Sequence, residues 1–318
     1  MKLEVSLPRV FQIGAILSAF GLWLAHGHID AGKTVLLSGS AILLFGLPHG
    51  AFDRIVTQGP LLKDVDSLRR NFWFLAFYLG IAGCTVALWL HVPALCLGAF
   101  LAISAVHFGC TDLGKGPPAL RALFGALHGS APIILIPYFH KVETTAIFDY
   151  LSNAPFAAAT VDFISLSGPF WAGGAVLFLA WNLLISANRA ASLELIAVAT
   201  LLALMPPLPG FLLYFGGLHS PKHLTEILAE LGSRSVSIQP ALREAAIIST
   251  VALGGFAVAF FWVDPATLSD DAYRVLFIGL AALTLPHMTL VDGRRIQRSF
   301  SSSRTGPPNE PRSHANDR

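Results

Sequence analysis

The sequence predicts an all-α, polytopic transmembrane helical bundle of about eight to ten spans with both termini in the cytoplasm. Three observations lead there. Of the 318 residues, 54% are hydrophobic and only 13% charged, about half the charged fraction of a soluble globular chain. The apolar residues fall in blocks of about 20, the length that crosses a bilayer. Arg and Lys gather on alternate loops, which sets an orientation. No Gly- or Ser-rich linker and no repeat divides the chain. Residues 1–293 are therefore expected to form a single transmembrane domain, and the Arg-, Ser- and Pro-rich residues 294–318 a disordered basic cytoplasmic tail that includes His314.

Taken in order, ten candidate spans start near Val10, Thr34, Asn71, Val92, Ala119, Pro169, Ser192, Leu208, Ala241 and Val275. The first, from Val10 to Ala25, is followed by His26-Gly27-His28-Ile29-Asp30 and not by a small-residue cleavage site, so it reads as a span. Residues Glu143 to Ser167 are mixed in polarity and read as an interfacial helix with loops. The seventh and eighth spans meet at Met205-Pro206-Pro207-Leu208-Pro209-Gly210, a natural helix break. They are either full spans or short, re-entrant pieces, which would leave about eight or nine crossings.

Lys2 and Arg9 precede the first span, Lys63, Arg69 and Arg70 follow the second, Lys115 and Arg121 the fourth, and Arg189 the sixth. Lys222, Arg234 and Arg243 follow or end the eighth; Arg294, Arg295 and Arg298 follow the tenth. The opposite loops carry Glu143, Asp149, Asp264, Asp270 and Asp271, with Lys33, Lys141 and Arg274 as exceptions. This asymmetry places the termini in the cytoplasm. Cys84, Cys96 and Cys110 have neither metal-ligand nor disulfide spacing and read as small apolar residues in helices.

The histidines stand out on this map. His49 lies late in the second span, His107 late in the fourth, His219 and His223 near the end of the eighth, and His287 late in the tenth. All four spans run toward the cytoplasm, so these five imidazoles fall at one depth. An ionisable group in a span is costly unless it is paired or lines a cavity. Five at one level lower that cost together by binding one ion. His219 and His223 are spaced i, i+4 on one helix face, and other helices complete such sites in bundle cores. Imidazole suits Fe, Zn, Cu and Ni, and an all-histidine site with open positions and ferrous iron fits oxygen chemistry. His26, His28, His91 and His140 sit at span ends and read as boundary residues; His128, inside the fifth span, is either a helix–helix hydrogen-bonding group or part of the pocket. Asp53, one turn after His49, is either a carboxylate that orients that imidazole or a boundary residue. Asp112 and Asp292 read as markers of span ends.

At these segments the chain resembles the Brp/Blh family of bacterial and archaeal membrane β-carotene 15,15'-dioxygenases. The matching pieces are Gly46-Leu47-Pro48-His49-Gly50 with Asp53, Ser104-Ala105-Val106-His107-Phe108-Gly109 with Asp112, the His219/His223 pair, and Pro286-His287-Met288. They occur in the family's order over most of the chain. The resemblance implies that residues 1–293 are catalytic, with the family's iron ligands on His49, His107, His219 and His223 and a Fe(2+) cofactor. His287 and His128 are then possible additional ligands or pocket residues. It implies O₂-dependent cleavage of lipid-dissolved β-carotene at the central double bond into two all-trans-retinal molecules. It also implies a multi-pass place in the prokaryotic inner membrane and a functional link to a retinal-binding rhodopsin; no nucleic-acid partner is expected.

Three other classes compete. A desaturase- or hydroxylase-like oxygenase needs ligands for two irons, usually in clustered His-x-x-His-His motifs, and none is present. A haem-binding electron-transfer protein with two haems needs axial pairs in two layers, whereas these histidines share one. A metal transporter needs polar residues along the opposite leaflet, where the spans offer only scattered Ser, Thr and Asn182.

Overall fold

The computed structural model describes residues 2–58, 67–111, 118–186, 189–234, 237–263 and 268–304. In lipid every backbone N–H and C=O must find a partner within its own segment, so the apolar blocks become helices. They are α1 (Lys2–Ala25), α2 (Ala31–Gly50), α3 (Asp53–Gln58), α4 (Ser67–His91), α5 (Pro93–Thr111), α6 (Pro118–Phe139) and α7 (Lys141–Leu151). After these come α8 (Ala154–Leu166), α9 (Gly168–Trp181), α10 (Arg189–Leu204), α11 (Pro207–Tyr214), α12 (Ser220–Ser233), α13 (Ile238–Phe261) and α14 (Leu268–Arg304). Asp30 caps α2 by accepting the Lys33 N–H at 2.9 Å. Hydrogen bonding from Lys33 also holds the Asp30 carboxyl below its ordinary range.

Among the described residues eight stretches are long and apolar enough to cross a membrane: Leu7–Ala25, Ala31–Thr57, Arg69–His91, Pro93–Cys110, Pro118–Phe139, Ala154–Ile185, Ile238–Phe261 and Asp270–Arg294. The all-α, multi-span reading therefore holds, at the lower end of the expected range. Two pieces read as spans are not. Helix α10 has 16 residues, too few at about 1.5 Å per residue to cover the hydrocarbon core. Helix α11 continues without a break through Phe215–His219 into α12, and that run carries Lys222, Glu226 and Glu230 in its second half. The Pro206-Pro207 break separates α10 from α11, with Pro207 in the first turn of α11, where its missing N–H costs nothing.

The sixth crossing also differs from expectation. It starts at Ala154, well before Pro169, because α8 continues the apolar run into α9. Pro155 occupies the first turn of α8, and Asn153 caps it by accepting the Phe156 N–H at 3.1 Å. Both are residue types that start helices. Helix α14 runs on to Arg304, past the expected start of the tail at 294. The rest of that tail with His314 lies outside the described residues, as do Lys63, Asp112, Lys115 and Asp264.

The core sits where α1, α2, α11, α12 and α14 meet, with α5 and α6 packed closely beside them. Gly109 of α5 and Gly129 of α6 make the α5–α6 approach possible: a Cβ on either would meet the other helix's backbone. This is the small-residue packing that membrane helices use in place of a hydrophobic drive.

Candidate metal centre

The five histidines singled out by depth come from four parts of the fold and meet in one cluster. His49 ends α2, one residue after Pro48, and His107 lies in the last turns of α5. His287 follows Pro286 in α14. His219 closes a π-helical turn, Phe215–His219, and His223 lies one turn later in α12. Such turns carry one extra residue per turn and recur at functional sites. Here the turn sets the His219 and His223 rings nearly parallel, 7° apart in orientation with centroids 6.3 Å apart.

All five rings are buried. The His49 centroid lies 5.6 Å from His219, 5.5 Å from His223 and 4.9 Å from His287. His107 lies 5.5 Å from His219 and 5.4 Å from His287, and His287 lies 5.4 Å from His223. His287 thus touches three of the other rings, more than its place in the sequence suggested.

Two carboxylates orient the cluster, each across helices. The Nδ1–H of His287 donates to Asp53 Oδ1 at 2.7 Å, and that of His107 to Asp292 Oδ2 at 3.0 Å. Both reverse an expectation. Asp53, the first residue of α3, orients His287 of α14 and not His49; the Nδ1 of His49 instead meets the Gly46 carbonyl of its own helix. Asp292 reads as a span end but faces His107. With Nδ1 carrying the proton, Nε2 is the lone-pair nitrogen in all three rings, the state of a metal-ligating imidazole.

His128 is not in the cluster. Its Nε2 lies 3.0 Å from Glu194 Oε1 and its Nδ1 3.1 Å from the Tyr214 hydroxyl, which donates to the His128 carbonyl at 2.8 Å. Lys222, between His219 and His223, also pairs with Glu194. This polar group ties α6 and α10 to the helix bearing the histidine pair. Sequence reading missed Asp292, Glu194, Tyr214 and Lys222 in these roles. For Asp292 the only signal was a carboxylate shortly after an in-span histidine, as Asp53 is for His49.

One cavity lies beside the cluster, meeting it through Phe108 and Phe215, whose ring centroids lie 4.7 and 5.9 Å from that of His219, and two border it. The first is apolar and starts at Phe108 and Met288, the neighbours of His107 and His287, and ends at Trp89 and Leu151. The second is also largely apolar, borders His49 and His287, and reaches Leu75 of α4 and Ile248 of α13. Phe215, Leu280 and Thr284 are walls common to both. The third is polar, bordered by Asp53, His223, Glu226, Glu230 and Arg294.

The donor set fits a transition metal in chemistry and spacing. Two imidazoles sharing one ion, each with a metal–nitrogen bond of about 2.0–2.1 Å, place their ring centres about 5 Å apart, close to the separations here. The buried Nε2 atoms of His223 and His287 make no hydrogen bond, which leaves two acceptors suited to a cation. Among the described residues, however, no group of three or more His, Cys, Asp or Glu stands in metal-holding geometry.

A family model described as Beta-carotene 15,15'-dioxygenase matches residues 40–293, a range that contains all five histidines. The chain is 32% identical over 252 residues to a protein of an uncultured marine bacterium (66A03) named Beta-carotene 15,15'-dioxygenase, covering 79% of this chain and 90% of that one. It is 24% identical over 290 residues to a Halobacterium salinarum protein named Probable beta-carotene 15,15'-dioxygenase Blh, covering 79% and 81%. No solved structure matches the chain.

Proposed function

The chain belongs to the beta-carotene 15,15'-dioxygenase family, and on that premise we propose that it cleaves β-carotene with O₂ at the central 15,15' double bond, giving two all-trans-retinal molecules. The reaction balances without another reactant: the carbon–carbon double bond breaks, and each carbon takes one oxygen atom of O₂ to become an aldehyde. The observation that carries the reading is a cluster of five buried imidazoles with one apolar cavity bordering His49 and His287 and a second apolar cavity beside it, behind Phe108 and Phe215.

His49, His107, His219 and His223 would hold ferrous iron, with His287 as a fifth imidazole at the site. When bound, the iron supplies the activation of O₂ that a closed-shell polyene cannot provide for itself. The protein's own part is to position and to exclude. Asp53 and Asp292 keep Nδ1 of His287 and His107 protonated, so that the opposite nitrogens face the centre. The apolar walls Phe108, Phe215, Leu280 and Met288 take a hydrocarbon and keep water from the reacting carbons. The polar cavity at Glu226 and Arg294 reaches His223 from another side, apart from the hydrocarbon path.

The loop charges support a multi-pass protein of the prokaryotic inner membrane with both termini cytoplasmic. Its substrates are O₂ and β-carotene dissolved in membrane lipid, and its product suits a retinal-binding rhodopsin. Expression in β-carotene-producing cells tests the reading. Loss of the orange pigment with appearance of retinal is expected, and an unchanged pigment profile would refute it.

A further inference from the structure

A long polyene offers many similar double bonds, so central cleavage needs something that measures distance along it. The apolar cavity between α5, α6, α7 and α14 has the form for this. It begins beside the cluster at Phe108 and Met288. From His107 back to Leu97 on α5, and from His287 back to Phe277 on α14, its walls run about 15 Å at 1.5 Å per residue. It ends at Trp89, Thr144 and Leu151. That end is fixed: the Trp89 indole N–H donates to the Leu151 carbonyl at 2.9 Å, tying α4 to α7, and both residues are buried. The other cavity, across Phe215, Leu280 and Thr284, has a different far end. Leu75 and Ile248 there are 54% and 39% exposed on the bundle's outer surface, so it opens sideways to lipid.

We infer that the cavity ending at Trp89, Thr144 and Leu151 is the measuring arm of the site. One end of the polyene seats against that floor, the trailing half lies in the cavity that opens between α4 and α13, and the floor's distance from the histidines selects the bond that is cut. This rests on the carotene-cleavage reading and adds to it the residues that set position. A fixed floor at one end and an open mouth at the other make the register depend on the seated end alone, whatever the length of the trailing half.

The purified full-length protein in detergent–lipid micelles, with iron restored, can be given β-carotene and its products resolved by chromatography and mass. Leu151→Ala deepens the arm, so the cleaved bond should move toward the trailing end, yielding one aldehyde longer than retinal and one shorter. Thr144→Leu shortens the arm and should move the bond the opposite way. Both variants yielding only retinal would overturn the inference. A further arm needs no substitution: the unaltered protein is given a polyene truncated at one end but keeping one intact terminal ring. The ringed half should still emerge as retinal; a cut that moves to the midpoint of the shortened chain would overturn the floor's role. If the unaltered protein leaves β-carotene itself intact, the cleavage reading fails first, a result distinct from correct cleavage with an unmoved register.

Discussion

Asp53 and Asp292 each stand on or next to the helix of one histidine and hold the ring of another, so the carboxylates exchange partners between α2, α14 and α5. This exchange explains why reading along the chain assigned them wrongly. Spacing shows which residues share a helix face, and nothing in spacing tells which neighbouring helix that face meets. His49, His107, His219, His223 and His287 were legible because depth in the bilayer follows from span direction. His128 lies inside a span as they do, but the fold gives it Glu194 and Tyr214 as partners. Asp53→Asn and Asp292→Asn keep the shape and remove the charge that favours a basic imidazole. Each is expected to weaken iron affinity by about 10- to 100-fold, read by competition with a chelator. Unchanged affinity in both variants would reduce the two carboxylates to packing groups.

At the scale of elements, the π-helical turn Phe215–His219 joins the parts of the site. Its first residue walls both apolar cavities, and its last is a histidine of the cluster. The Phe215 ring stacks on Phe211 and on His219, at interplanar angles of 5° and 14°, so it has little freedom to shift. Gly46 lets α2 pass directly over that ring, and a Cβ there would collide with it. Gly46→Ala is therefore expected to cost about 1–3 kcal/mol of stability as an overpacked contact. A thermal-unfolding scan of the detergent-solubilised protein should record a lower midpoint together with reduced activity; a variant as stable and active as the parent would contradict the packing described. The glycine was visible in the sequence, but its partner stands far along the chain. Gly216 likewise lies against Phe45 and Ala15.

For the whole molecule, most crossings were legible because a bilayer demands long apolar helices, and composition records that demand directly. The errors came where length and polarity disagree. Helix α10 is apolar enough to pass for a span but too short. Helix α11 runs on through Phe215–His219 into α12, whose charged residues make the run polar; both α10 and α11 contribute to the core. The stretch from Ala154 holds Asp162, which pairs with Lys141, and so reads as interfacial although its helix continues into a span. The cavities were not legible at all. They arise from residues on many helices, and the 23 Phe and 6 Trp of the chain give no sign in sequence of which face a lumen and which face lipid.

The central claim is that one iron is held by the histidine cluster, and metal analysis of the purified protein tests it most directly. The account expects about one iron per chain, lost from His219→Ala and from His223→Ala while both variants still insert in the membrane, since the pair shares one helix face and the other helices complete the same site. Two irons per chain, or full iron retention and activity in His223→Ala, would contradict it.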